Sequence, residues 1–144
     1  MKIDDIKQIW EKDSKISQDD LATESLRTPS LHSKYYNIYV DEKLQLKKQE
    51  TDHKYLRRLK YEYYLGRLSP EQIKKLGWDD FDLKILRGEL DVYMESDIHL
   101  TTSLIAIAEQ QEKVNFLESI IKVVNGRGFH IKSAVDFIRW TQGG

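Results

Sequence analysis

Two long stretches of this sequence contain no helix breaker, and nothing between them alternates as a half-buried strand must. From Ser30 to Leu65 there is neither proline nor glycine, and from Asp97 to Asn125 again neither occurs. Two prolines and seven glycines are all that 144 residues hold, and no Val/Ile/Thr-rich run with a period of two marks a strand. The expected fold is all-α: a long N-terminal helix and a long C-terminal helix, with short flanking helices. By length this is one domain, residues 1–144, able to bury a modest core but not two independent ones.

Apolar spacing and capping residues divide that domain into three parts. In residues 1–67, Ile3, Ile6, Ile9 and Trp10 recur at helical intervals, so a short amphipathic helix begins near Ile3. Residues 15–28 are polar and read as a loop, with at most a single turn at Asp19–Ser25. Thr28-Pro29 reads as the start of the long helix, since proline is tolerated in a first turn. Leu31, Tyr35, Ile38, Leu44, Leu59 and Tyr63 supply its apolar positions, and Gly66 its C-cap.

In residues 68–96, Ser69-Pro70-Glu71-Gln72 predicts an N-cap and a short helix ending at Gly77. Residues 78–95 are either helical with a break at Gly88 or partly extended. In residues 97–144, Asp97 caps a long helix expected to end at Asn125-Gly126. Its seam of Leu100, Leu104, Ile107, Gln111, Val114, Leu117, Ile121 and Val124 keeps steps of three and four. After Gly126-Arg127-Gly128, His130–Trp140 reads as a separate terminal helix.

Charge is segregated in a way the net value of −1 conceals. Residues 53–78 sum to +5, residues 79–112 to −7 and residues 113–144 to +3. Asymmetry of this kind marks a polyanion-binding surface, an intersubunit charge match, or both. No apolar run approaches the length of a membrane span, and Met1-Lys2-Ile3-Asp4-Asp5 lacks the pattern of a signal peptide. With no cysteine there is no disulfide, thiolate site or cysteine nucleophile. The chain reads as intracellular.

Catalytic signatures are wanting. His32, His53, His99 and His130 are scattered without metal-ligand spacing on one helix. There is no P-loop, no nucleophile elbow and no dinucleotide fingerprint. The expectation is a non-enzymatic protein with no metal and no cofactor.

The sharpest constellation is Lys54-Tyr55-Leu56-Arg57-Arg58-Leu59-Lys60-Tyr61-Glu62-Tyr63-Tyr64-Leu65-Gly66-Arg67. At about 100° per residue it sorts into two faces. Tyr55, Leu56, Leu59 and Tyr63 are expected to face the core. Lys54, Arg57, Arg58, Tyr61 and Tyr64 share the other side, with Lys60 at its border and Arg67 beyond. Cations track phosphates, and exposed bases stack on rings for about 1–3 kcal/mol each without demanding a sequence. Such a face suits single-stranded DNA. The same pattern also fits a structural or adaptor protein whose basic helix pairs with the acidic 79–112 segment of a neighbouring subunit. A handful of phosphate contacts per subunit gives weak, salt-sensitive binding, so useful affinity implies several subunits on one strand.

The terminal segment supplies the means of association. Ile131, Ala134, Val135 and Ile138 line one side, while Phe137 and Trp140 project from another. A single small chain has difficulty burying both, and exposed apolar surface marks an interface. The Gly126-Arg127-Gly128 triplet is explained by a C-cap.

In three places these residues resemble the UvsY-like recombination mediators of T-even-type bacteriophages. Leu31-His32-Ser33-Lys34-Tyr35 resembles the Leu-x-Ser-Lys-aromatic segment of that family. Arg58-Leu59-Lys60-Tyr61-Glu62-Tyr63-Tyr64 with Gly66-Arg67 is similar to its Lys-Ala-Arg-Leu-Asp-Tyr-Tyr-Ser-Gly-Arg element. Thr102-Ser103-Leu104 leads into the C-terminal helix, and Arg127-Gly128-Phe129-His130-Ile131-Lys132 matches Arg-Gly-Phe-x-Ile-Lys. The motifs keep their order over most of the chain, while residues 68–95 match poorly.

The resemblance implies a ring-like homo-oligomer, hexamer or heptamer, that binds single-stranded DNA in the infected host cytoplasm. It implies a RecA-like recombinase and single-stranded-DNA-binding protein as partners, the former loaded in place of the latter. It singles out Arg58 and Lys60, where the family carries Lys and Arg; the signs are kept but the donor geometry is exchanged. Leu59 and Tyr61 replace a small residue and a leucine.

Overall fold

The structure is a computed structural model and describes residues 1–143. Its helices are α1 (Ile3–Asp13), α2 (Leu21–Tyr64), α3 (Pro70–Leu76), α4 (Leu90–Glu95) and α5 (Ile98–Thr141). There is no strand among the described residues, as the absence of alternating runs predicts. None of these helices is long and apolar enough to cross a membrane.

Several boundaries follow from local chemistry already visible in the sequence. Ser69 Oγ accepts the Gln72 amide at 3.2 Å while Gln72 Oε1 accepts the Ser69 amide at 2.9 Å. That reciprocal box starts α3, and Gly77 ends it at φ 74°, a conformation few other residues adopt. Asp97 Oδ1 accepts the Leu100 amide at 2.9 Å and starts α5.

Two boundaries differ from expectation. The long N-terminal helix starts at Leu21, because Asp20 rather than Thr28 caps it: Asp20 Oδ1 accepts the Thr23 amide at 3.2 Å. Pro29 therefore lies inside α2. It cannot donate to the Ser25 carbonyl, but both residues are exposed, where water serves that group.

At the other end, α5 does not stop at Asn125-Gly126. It runs unbroken through Gly126-Arg127-Gly128 to Thr141, so His130–Trp140 is its last part and not a separate helix. Two helical glycines cost about 1 kcal/mol each. Arg127, between them and only 3% exposed, supplies the compensation. Its guanidinium donates to the Glu24 carboxylate, to the Glu24 carbonyl and, at 2.7 Å, to Thr28 Oγ1.

Contacts divide the chain into two compact units: Met1–Leu44 with Gln111–Gly144, and Gln45–Gln110. In the first, Ile6 of α1, Leu31 and Tyr35 of α2, and Leu117, Ile120 and Val124 of α5 form the core. Each such side chain contributes about 1.5–3 kcal/mol by leaving water. Trp10 meets Tyr35 edge to face at 5.2 Å. Asp13, at the end of α1, accepts from Tyr35 Oη at 2.8 Å and Lys34 Nζ at 2.7 Å, and pairs with Arg27 at 3.3 Å. α1 is thereby tied to α2 at both its apolar face and its C-terminus.

In the second unit, Leu90, Met94 and Leu100 pack with Leu56, Tyr64, Leu65 and Ile85. Residues 78–86 have no regular secondary structure and only Leu90–Glu95 of this segment is helical, so a helix interrupted at Gly88 is not found over its first part. They are held by rings: Tyr63 contacts Trp78 at 5.2 Å, and Tyr64 meets Phe81 at 5.0 Å and Tyr93 at 5.7 Å.

Candidate nucleic-acid interface

In the second unit, the C-terminal part of α2 presents one face to solvent and one to its own core. Lys54, Arg57, Arg58, Tyr61 and Arg67 are exposed, as expected. Among the described residues no carboxylate forms an ion pair with Lys54, Arg57 or Arg67, whereas Arg58 Nε lies 3.6 Å from Glu62. The Arg67 guanidinium sits 5.9 Å from the Tyr61 ring centroid. Arg57 also lines a cleft with His53, Asp91, Glu95 and Leu104, so it faces carboxylates on one side.

Three residues depart from the expected wheel. Lys60 is only 3% exposed and Tyr64 half-buried, so neither joins the exposed face; Tyr55, expected in the core, is 63% exposed. The true core direction is rotated from the expected one by about half of one residue's 100° step. Leu56, Leu59 and Tyr63 stay inside or partly inside. The rotation has a physical cause: a polar cluster that the apolar pattern of α2 does not reveal.

Lys60 Nζ lies 3.0 Å from Asp97 Oδ2, and Tyr64 Oη donates to the same oxygen at 2.5 Å. The ammonium also donates to His99 Nδ1 at 2.8 Å and stands 3.8 Å from the centroid of the Trp78 ring. Beside it, Tyr63 Oη donates to the Asp79 carbonyl at 2.5 Å. Burial pushes the Asp97 carboxyl up, but hydrogen bonds from Tyr64, the Leu100 amide and Lys60 outweigh it and hold it below its ordinary value. Burial, then the bond to Asp97, pushes the Tyr64 hydroxyl well up. A charge-paired, ring-covered lysine is a structural element of this unit and not an open phosphate ligand.

Sequence reasoning found Asp97 as a helix cap but missed its second role, along with Trp78 and His99. The signal available was an intrahelical lysine among tyrosines, which reads equally as surface. Lys47 and Lys48, both exposed on α2, lie outside the tyrosine-rich stretch that the sequence singles out.

In the first unit, the proposed association residues separate into two groups. Ile131 is buried within the chain, Ala134, Val135 and Ile138 are half-buried, and Phe137 and Trp140 are 63% and 77% exposed. Exposure extends along α5 to Val123 and Phe129. Among the described residues no group of three or more acidic or histidine side chains is gathered to hold a metal ion.

Over residues 9–144 the sequence matches the family described as "Recombination, repair and ssDNA binding protein UvsY". The chain belongs to the UvsY family. Its fold is that of crystal structures of the bacteriophage T4 recombination mediator protein UvsY. One matches with a TM-score of 0.83 at 19% identity, covering 97% of this chain and 99% of that one. A second gives 0.82 at 21% identity, covering 100% and 99%, and a third 0.81 at 20%, covering 95% and 98%. At such identities the likeness to UvsY from T4 carries the fold alone. No curated protein matches the sequence. Within the UvsY element, then, Arg58 is exposed and Lys60 is buried here, so the two positions singled out by the resemblance are not equivalent.

Proposed function

We propose that this chain binds single-stranded DNA through the exposed face of α2 and acts as a non-enzymatic recombination mediator. The observation that carries the reading is that Lys54, Arg58 and Tyr61 are exposed together on α2, with Glu62, among the described residues, the one carboxylate paired to any of them. The cations meet phosphates, and Tyr61 stacks a base while Arg67 rests against its other side or edge. Arg57 contributes at the margin. Membership of a family described by recombination, repair and single-stranded-DNA binding supports the same reading.

Few cations per subunit give weak binding, which makes several subunits on one strand part of the mechanism. The exposed Phe137 and Trp140 of α5 are the natural contacts of a homo-oligomer, a ring of six or seven subunits. An assembly that holds a strand extended, away from single-stranded-DNA-binding protein, presents it to a RecA-like recombinase in the infected cell.

Fluorescence anisotropy with a labelled oligonucleotide, over a salt series, tests the binding face. Lys54→Gln/Arg58→Gln is expected to lower the slope of log K against log salt by about 1.4 for each subunit engaged, since each single-strand phosphate contributes about 0.7. Unchanged affinity and slope would overturn the assignment. For association, Trp140→Asp is expected to reduce the molar mass seen by light scattering; an unchanged mass rules out that contact.

A further inference from the structure

The second unit offers two routes by which a strand could leave Arg58, and carboxylates obstruct one of them. Across the helix, the route from Arg67 leads to Lys74 and Lys75 of α3. Lys74 lines a cleft with Pro70, Trp78, Asp79 and Asp80, and Glu71 is exposed on the same short helix. On the Arg57 side the cleft already described carries Asp91 and Glu95. A polyphosphate meets like charge in both directions.

Along the helix the carboxylates do not gather in a cleft. Lys47, Thr51, Lys54, Arg58 and Tyr61 step by four, three, four and three residues, which sets them in one stripe. All five are exposed, and among the described residues Lys47 and Lys54 form no ion pair. At about 1.5 Å per residue the stripe is ~21 Å long. Lys48 and Tyr55 border it, also exposed. Asp52 falls on the far flank of the wheel, whereas Glu50, three residues from Lys47 and four from Lys54, borders the stripe but is half-buried, and Glu62 is paired with Arg58.

We infer that the DNA strand runs parallel to the axis of α2, from Tyr61 through Arg58 and Lys54 to Lys47, with the acidic clefts as repulsive borders on either side. Lys47 is then a phosphate-binding residue, two helical turns beyond the basic tyrosine-rich stretch. The inference rests on the single-stranded-DNA reading above and adds the direction of the strand to it.

Salt-dependent anisotropy titrations of the full chain with labelled oligothymidylate test it, comparing Lys47→Gln, Lys54→Gln and Lys74→Gln/Lys75→Gln. The four lysines are exposed, so circular dichroism should be unaltered. Lys47→Gln and Lys54→Gln should each lower the slope of log K against log salt by about 0.7 for each subunit engaged. The α3 pair should leave it unchanged. A Lys47→Gln slope equal to the parent's, with Lys54→Gln reduced, overturns the path and leaves the binding face standing. A drop in the α3 variant instead assigns the transverse route. An unaffected Lys54→Gln removes the binding face itself, and the path with it.

Discussion

Lys60 and Asp97 are paired at 3.0 Å with both side chains only 3% exposed, which couples the middle of the basic segment of α2 to the first turn of α5. Removing one partner leaves the other charge buried and uncompensated, at a cost of about 3–5 kcal/mol. Lys60→Met should lower stability in urea unfolding by that order. Lys60→Met/Asp97→Asn should recover much of the loss, because the amide still accepts from the Leu100 N–H without a buried charge. At temperatures where Lys60→Met is folded, its salt slope for DNA should equal the parent's. A reduced slope would return Lys60 to the phosphate-binding set.

Acid should weaken both units through two carboxylates. Burial pushes Asp13 up, but hydrogen bonds from Lys34 and Tyr35 and the charges of Lys34 and Arg27 leave it below 3.8; Asp97 is likewise held below 3.8. A carboxyl with a lowered value in the folded state binds fewer protons there than in the unfolded chain. Its contribution is therefore complete above 3.8 and lost as pH falls through the lower folded value. Urea midpoints should be level near neutrality and fall below that pH. Asp13→Asn should be less stable at neutral pH with a flatter acid limb, and a limb as steep as the parent's would place the titration elsewhere.

How far the sequence discloses this molecule depends on which interactions are local. Ser69 with Gln72, Gly77 and Asp97 act within one helical turn, and the ends of α3 and the start of α5 follow from them. Pro29 and Gly126-Arg127-Gly128 read as breaks because proline and glycine oppose helices locally. What keeps α5 helical there is Arg127 bonding to Glu24 and Thr28, about a hundred residues away along the chain. The candidate face divides in the same way. Lys54, Arg58 and Tyr61 follow from the wheel, whereas the inward turn of Lys60 and Tyr64 depends on Asp97 and Trp78, distant in sequence and visible only once the chain is folded.

Glu62 competes with a phosphate for Arg58. Arg58 Nε is 3.6 Å from its carboxylate, with the arginine side chain 73% exposed. An exposed pair of this kind is worth about 0–1 kcal/mol, so binding a phosphate gives up little, but not nothing. Glu62→Gln should tighten single-stranded DNA about two- to fivefold at low salt, with the gain shrinking as salt screens both charges. Unaltered or weaker binding by anisotropy would indicate that Glu62 orients Arg58 instead of occupying it.

Gly126 and Gly128 are ordinary helical positions with no close approach inside the chain to explain them. A Cβ at Gly128 would meet nothing within 4 Å, and one at Gly126 only His130 Cε1 at 3.9 Å. Neither residue has a positive φ. Alanine at either should therefore stabilise the isolated chain by about 0.5–1 kcal/mol, mainly by restricting the unfolded state. The glycines flank Phe129 on the same helix that exposes Val123, Phe137 and Trp140. If the first unit associates through α5, the missing methyl groups let a second backbone come close, and Gly128→Ala should raise the thermal midpoint at low protein concentration while lowering the molar mass at high concentration. A raised midpoint with unchanged mass confines the association to the Phe137 and Trp140 end of the helix. A lowered midpoint at low concentration would contradict the open space beside Gly128.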